Sequence, residues 1–419
     1  VSKIATSLFG DCAFMPFQAE VPIAERFEFV TDVIESDDGT EERLKLRTLP
    51  RQYFEYSIPL QDFKKSDAFN TLYGGLRDNW IIPLWSEGQS VGTISAGQTV
   101  INCNTLVYDL QTASLALIYS NCNIWQIVEI QSKTDSTITL ASGAEAQTSA
   151  ILIPIKKAIV IGNTDISTNG QSGFVKLLFQ IDKATDITSG TQESYKGYDI
   201  YYEESLLGSA NFIQKTMQKR QILNDFDLGN VAQSTPWQNS KYGTPYRVLL
   251  EDYDEVREFK RWIFRLAGKH RAFWIPTFEN DLRKKSSGVV SSTLLVESDS
   301  ILDYATSKTN IAVRDINGVW YPREITLFEQ VSEDTVRITL DAPLGIYAQD
   351  IIQISYLGLN RLDVDKIQLN WIGNSKVQSE IRMLEIEPSV IEDVTGSISL
   401  LETGFYSLLE SGDRSLLEN

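Results

Sequence analysis

The sequence predicts a mainly β protein with a few helices, an α+β chain built as two tandem, divergent copies of one β-rich domain plus a short C-terminal β repeat. Each copy is expected to be sandwich- or barrel-like, with one main helix. Three observations carry this expectation. Short alternating runs joined by polar turns recur, as in Ile127–Ile130 and Ser136–Leu140, and period-two alternation of that length reads as strand. An aromatic, apolar, Ile-Pro segment occurs twice, its Ile-Pro pairs 193 residues apart. The chain ends on a Ser-Leu-Leu-Glu series, written three times.

In this reading residues 1–24 are an N-terminal arm, 25–185 the first copy, 186–209 a linker, 210–388 the second copy and 389–419 the repeat. The first copy has an extended run from Pro50 to Pro59. A helical segment from Asp62 to Gly74 follows, with Phe63, Phe69, Leu72 and Tyr73 as its apolar residues. Then comes the segment holding Trp80, Pro83 and Trp85. The second copy has an extended run from Pro245 to Leu250. Val256, Phe259, Ile263 and Leu266 follow at helical spacing over 253–267, with Gly268 as the stop. Next comes the segment holding Trp274, Pro276 and Phe278.

Downstream, hairpin patterns turn at Lys133-Thr134-Asp135 and at Ser332-Glu333-Asp334, and closing strands lie at Phe174–Ile181 and Ile381–Ile386. One Ile-Pro match is within reach of chance. The same order of strand, helix, aromatic segment, hairpin and closing strand is not. The six aromatic and proline residues named are expected to order each domain or its contacts.

Asp186–Ser205, rich in Thr, Ser, Gly and Tyr, closes the first copy, and Asn224–Thr244 reads as an extended arm or long loop. The terminal series suits three short strands joined by tight turns. A sheet that small is marginal in water. Leu401, Leu409 and Leu417 are therefore expected to bury against the body of the protein or a neighbour.

Bulk composition bounds the function. A chain of 419 residues favours two or three domains, and 42% hydrophobic with 22% charged residues is globular. The net charge of −18 disfavours a nucleic-acid binder, which needs clustered Lys and Arg, and an anionic membrane surface. Cys12, Cys103 and Cys122 lack metal-ligand spacing and read as reduced thiols, with a Cys103–Cys122 pairing left open. Val1–Phe17 does not read as a secretory leader, and no stretch approaches the roughly 20 apolar residues of a membrane span.

Motifs for chemistry are sparse. His270 is the only histidine and sits just past a predicted helix end, where a cation suits the helix dipole. Gly170-Gln171-Ser172-Gly173 lacks the second half of a nucleophile elbow. Neither a phosphate-binding loop nor a dinucleotide fingerprint appears. No catalytic, cofactor-binding or metal-binding residue is assigned, no cofactor is expected, and the chain reads as non-enzymatic.

The run Arg26-Phe27-Glu28-Phe29-Val30-Thr31, then Gly39-Thr40-Glu41-Glu42-Arg43, a strand and a Trp-Ile-Pro segment resembles the N-terminal region of tail-tip or baseplate structural proteins of long-tailed bacteriophages, the distal-tail and tail-hub group. The Ser-Leu-Leu-Glu series with Gly-Asp turns is similar to C-terminal ends of phage virion proteins. The chain departs from one hub subtype in lacking a cysteine set for an iron–sulfur cluster. The resemblance implies a structural virion protein at the tail tip, made in the host cytoplasm. It implies a ring joining the tail tube to the central hub and fibres. The partners implied are copies of itself, with a trimeric ring favoured and a hexameric one open, and the tail-tube, tape-measure, hub and fibre proteins. Two other functions stay open: a receptor- or glycan-binding module on the same particle, and a carboxylate-dependent cell-wall hydrolase.

Overall fold

The structure is a computed structural model. It describes residues 2–386 except 7, 62–67, 71, 75–78, 170–171, 190–191, 207–213, 226, 228, 230, 238, 299–300, 305–306 and 374, and beyond them the backbone of 391–392, 397–400 and 406–409. Strand dominates, as the alternation predicts.

In the first half, β1 (Ser2–Thr6) and β2 (Gly10–Phe14) form a hairpin, followed by β3 (Glu20–Glu28). A second hairpin, β4 (Thr31–Glu35) and β5 (Glu41–Lys45), leads into β6 (Arg51–Gln61). Residues 68–70 and 72–74 are helical, within the segment predicted as helix. β7 (Trp80–Pro83) and β8 (Gln89–Ile94) come next, with a 3-10 turn, Trp85–Glu87, between them. They are followed by β9 (Val100–Asn102), β10 (Ser114–Asn121), β11 (Ile124–Lys133) and β12 (Thr137–Leu140). The half closes with β13 (Gln147–Val160), β14 (Asp165–Thr168) and β15 (Ser172–Ile181).

The second half runs in parallel. It has hairpins β16 (Ser194–Tyr195) with β17 (Tyr198–Ile200), and β19 (Ile222–Asp225) with β20 (Val231–Ser234), with β18 (Thr216–Gln218) between them. β21 (Lys241–Leu250), helix α1 (Tyr253–Leu266) and β22 (Ala272–Pro276) follow. Next are β23 (Arg283–Lys284), β24 (Val289–Val290), β25 (Thr293–Glu297), β26 (Asn310–Asp315), β27 (Trp320–Ser332) and β28 (Thr335–Leu340). The half closes with β29 (Ile346–Tyr347), β30 (Ile351–Leu362), β31 (Lys366–Trp371) and β32 (Val377–Glu385). The polar stretch 224–244 is thus mostly hairpin and strand.

Local chemistry explains α1. The Asp252 side chain accepts from the Glu255 backbone N–H at 2.9 Å, satisfying an orphan donor of the first turn. The Glu255 carboxylate reaches back to the Glu251 N–H at 2.7 Å. Val256, Phe259, Trp262, Ile263 and Leu266 form the buried stripe. The helix stops one residue before the predicted glycine: Ala267 takes the left-handed conformation, and Gly268 follows with φ +75°. A Cβ on Gly268 would stand 2.2 Å from Asp365 Oδ1, so only glycine fits.

Eight strands make one continuous antiparallel sheet, ordered β14-β15-β6-β3-β31-β32-β21-β18. One face of it alternates inward at Tyr56, Ile58 and Leu60 on β6, and at Tyr246, Val248 and Leu250 on β21. These pack with α1 into a core that draws on both halves, from Ala13 to Met383. The other face is polar, with Lys176 paired to Glu55 and Arg247 to Glu380. Each half then carries a β lobe with its own core, β8–β13 around Ile118 and Ile138, and β24–β30 around Val313 and Ile338. The halves are therefore joined through a shared centre and separate only at the lobes.

The two halves carry the same pairings in the same order. β6 pairs β15 as β21 pairs β32. β13 pairs β7 as β30 pairs β22. β11 meets β12 with a register shift after Ile130, and β27 meets β28 with one after Ile325. The described parts of 1–24 and 186–209, expected as arm and linker, attach to their halves in the same way: β2 lies parallel on β7, and β17 lies parallel on β22.

Candidate functional interface

The features that stand out are where the halves meet. Three side chains from the first half and two from the second form a buried polar knot. Glu25 on β3 is fully buried and accepts from Gln52 Nε2 at 2.8 Å and from Trp371 Nε1 at 2.9 Å. Lys260 on α1 lies 2.9 Å from Glu25 and 3.2 Å from Glu87, which follows β7. Glu87 also accepts from the Asp109 N–H at 2.8 Å, and Asp109 in turn holds Lys156 at 2.8 Å.

Burial raises the Glu87 pKa despite the neighbouring Lys260. For Lys260, burial works downward, but Glu25 and Glu87 outweigh it and hold the ammonium above its ordinary range. Burial would raise Asp109, but Lys156 and its hydrogen bonds outweigh it and hold the acid low. These carboxylates are inside the core and committed to partners. They form a structural joint rather than an open acid–base pair.

A second joint lies at the β4–β5 hairpin. Arg361 on β30 grips Glu41 in a fork, at 2.6 Å and 2.9 Å. Lys241 on β21 bonds Glu35 and the Gly39 carbonyl, both at 3.0 Å, and sits over the Trp237 ring. Burial acts against ionisation of Glu41, but Arg361 prevails and its pKa falls below the ordinary 4.5. A third tie is Asp365, which accepts from the Thr31 and Lys269 N–H groups at 2.9 Å and 3.0 Å, fastening the end of α1 to the β3–β4 corner.

The aromatic residues singled out by sequence are packed inside. Trp80 and Trp274 are each 1% exposed, so neither offers a ring to a sugar. With the Ile-Pro pairs matched, Trp80 takes the place of Phe273 in the shared core, and Trp274 takes that of Ile81 on the reverse of the strand. Trp274 donates to the Tyr195 carbonyl at 2.9 Å, holding hairpin β16–β17. Pro83 and Pro276 are buried, and the Pro83 carbonyl accepts from Tyr56 Oη at 2.8 Å. Trp85 and Phe278 are half-buried, edge-on to Tyr119 and Trp320. These six residues are buried or half-buried, and the two sets do not meet.

No protein-family model and no curated protein matches this chain. Geometry therefore carries the functional argument. Of the terminal series, β33 (Ser397–Leu400) and β34 (Tyr406–Leu409) pair antiparallel. Leu409 is described in backbone alone, and Leu401 and Leu417 lie outside the described residues. No disulfide joins the cysteines, and burial raises the Cys103 thiol to about 11. His270 is half-buried just past α1. Among the described residues, no cluster of three or more His, Cys, Asp or Glu is placed to hold a metal ion.

Sequence reasoning missed the joints. Glu25, Lys260, Glu41 and Arg361 come from distant positions, and the one local signal was a lysine on the apolar stripe of α1. Lys260 lies between Phe259 and Ile263, where an unpaired ammonium would not be buried.

Proposed function

We propose that this chain is a structural virion protein of a phage tail tip or baseplate, forming a ring that joins the tail tube to the central hub and fibres. The observation that supports this reading is the sheet. Strands β14-β15-β6-β3 and β31-β32-β21-β18 are four-stranded units with matching neighbours, set head to tail inside one chain. A head-to-tail contact uses two different surfaces, so it leaves one of each unused, and repetition gives a closed ring or an open filament.

We read the two halves as diverged copies of one unit. A ring of three chains then presents six similar units, which suits a junction between a six-fold tube and a three-fold hub. The acidic surface and the commitment of the central carboxylates to structural joints fit a scaffold better than a hydrolase.

The test is the mass of the purified chain by light scattering over a concentration series, with negative-stain images of the product. A trimeric ring is the expected result. A hexameric ring would keep the tail-tip role and remove the three-fold argument. A species that stays monomeric and is missing from purified tail particles would overturn the reading.

A further inference from the structure

We infer that neighbouring copies of this chain join by strand addition, β18 of one copy on β14 of the next, with hairpin β19–β20 seated against β13 of that neighbour. This rests on the ring-forming reading above and names the surface that makes the ring.

The internal contact is the template. β3 of the first half receives β31 of the second, in register from Ile23 opposite Trp371 to Glu28 opposite Lys366. The counterpart of β3 is β18, since β3 pairs β6 as β18 pairs β21. The counterpart of β31 is β14, since β31 pairs β32 as β14 pairs β15. Among the described residues β14 pairs β15 alone and β18 pairs β21 alone, so neither has a strand on its outer edge. An open edge of this kind recruits another chain. The internal register, carried over, sets Thr216 opposite Asp165 and Lys215 opposite Ile166.

The side chains around the contact change in step. In the internal joint, the ion pairs by which hairpin β4–β5 reaches the strands of the other half include Glu41 with Arg361 and Glu35 with Lys241, and Arg220 adds a pair to Asp37 at the hairpin's turn. Matching the strand registers sends Glu41 to Val231 and Arg361 to Ile159. Charge has been replaced by apolar surface on both sides at once, and Val231 and Ile159 are 55% and 45% exposed here. The same matching sends Glu35 to Asp225 and Lys241 to Arg51, an acid and a base, both exposed. One pair has switched chemistry and the other has kept it, and each remains complementary. Ile222 and Leu223 add exposed apolar surface to the same hairpin, where the corresponding β4 residues are Asp32 and Val33.

The test is a charge swap that rebuilds the internal pair between copies. V231E puts a lone carboxylate against Ile159 of the neighbour and is expected to weaken self-association at least about tenfold. The double variant V231E/I159R recreates the Glu41–Arg361 pair and is expected to restore assembly. Both positions are at the surface, so the thermal midpoint of the dissociated chain should match that of the wild type. If V231E assembles like the wild type, or the double variant stays as weak as the single, the contact is wrong, although a ring seen in either case leaves the tail-tip role standing. A wild-type chain that stays monomeric at every concentration also overturns the contact, and its presence in tail particles then decides the role separately.

Discussion

Lys260 is a buried charge that ties the two halves together. It lies between Glu25 and Glu87 and is buried with them. Removing one member of a buried ion group leaves its partners uncompensated, which costs about 3–5 kcal/mol. K260M should therefore lose stability of that order, measured by chemical denaturation. E87Q should lose less, about 1–2 kcal/mol, because Lys260 keeps Glu25 and the new amide oxygen still serves one of the two donors, the Asp109 N–H or Lys260. Burial already disfavours the charge on Glu87, so neutralising it removes a strained ion. Equal losses for the two variants would show that Glu25 does not hold Lys260 by itself. Gly268 is the other sensitive position. G268A must displace Asp365 from the Thr31 and Lys269 N–H groups while adopting a left-handed backbone. That change should cost about 1–3 kcal/mol.

At the scale of elements, α1 was legible in the sequence because its signals are local. Val256, Phe259, Ile263 and Leu266 at helical spacing and the stop at Gly268 all fall within 256–268, and the structure adds the Asp252 cap. D252A should lower stability by about 1 kcal/mol, with the loss seen in both thermal midpoint and helical signal. The strands were legible from alternation, as in Tyr56, Ile58 and Leu60. Hairpins β16–β17 and β19–β20 were not, because β16 and β17 are only two and three residues long and the apolar residues of β19 and β20 are exposed, which leaves no buried alternation to read. The pairing of β3 with β31 was equally hidden. It joins positions more than three hundred residues apart, and nothing in either strand names its partner. The aromatic segments were found, but the reason for their place was not. Trp80 and Trp274 lie on opposite faces of matching strands, and only the register reveals that.

At the scale of the whole molecule, the shared core dictates how the chain comes apart. Residues from both halves fill one apolar centre, so the centre cannot open in one half alone. Near-ultraviolet and far-ultraviolet signals should lose the central sheet in one transition. Two transitions for the centre would mean the halves fold independently. Acid should lower that single midpoint. The folded-state pKa of Glu41 lies below its ordinary value of 4.5, and that of Asp109 below 3.8. A depressed carboxylate stabilises the fold above its unfolded pKa, and the gain is lost as pH falls through the folded value. Glu87 has the opposite sign. Its raised pKa makes protonation favour the folded state, which offsets part of the loss. Asp38, Asp186, Asp315 and Asp334 are also lowered and Asp281 is also raised, so the lowered carboxylates outnumber the raised ones, and Glu41 belongs to the fork that closes the joint between the halves. The denaturation midpoint should therefore fall as pH drops below about 4.5, and E41Q should flatten the fall while lowering stability at neutral pH. An E41Q profile as steep as the wild type's would move the acid sensitivity away from that joint and onto Asp109.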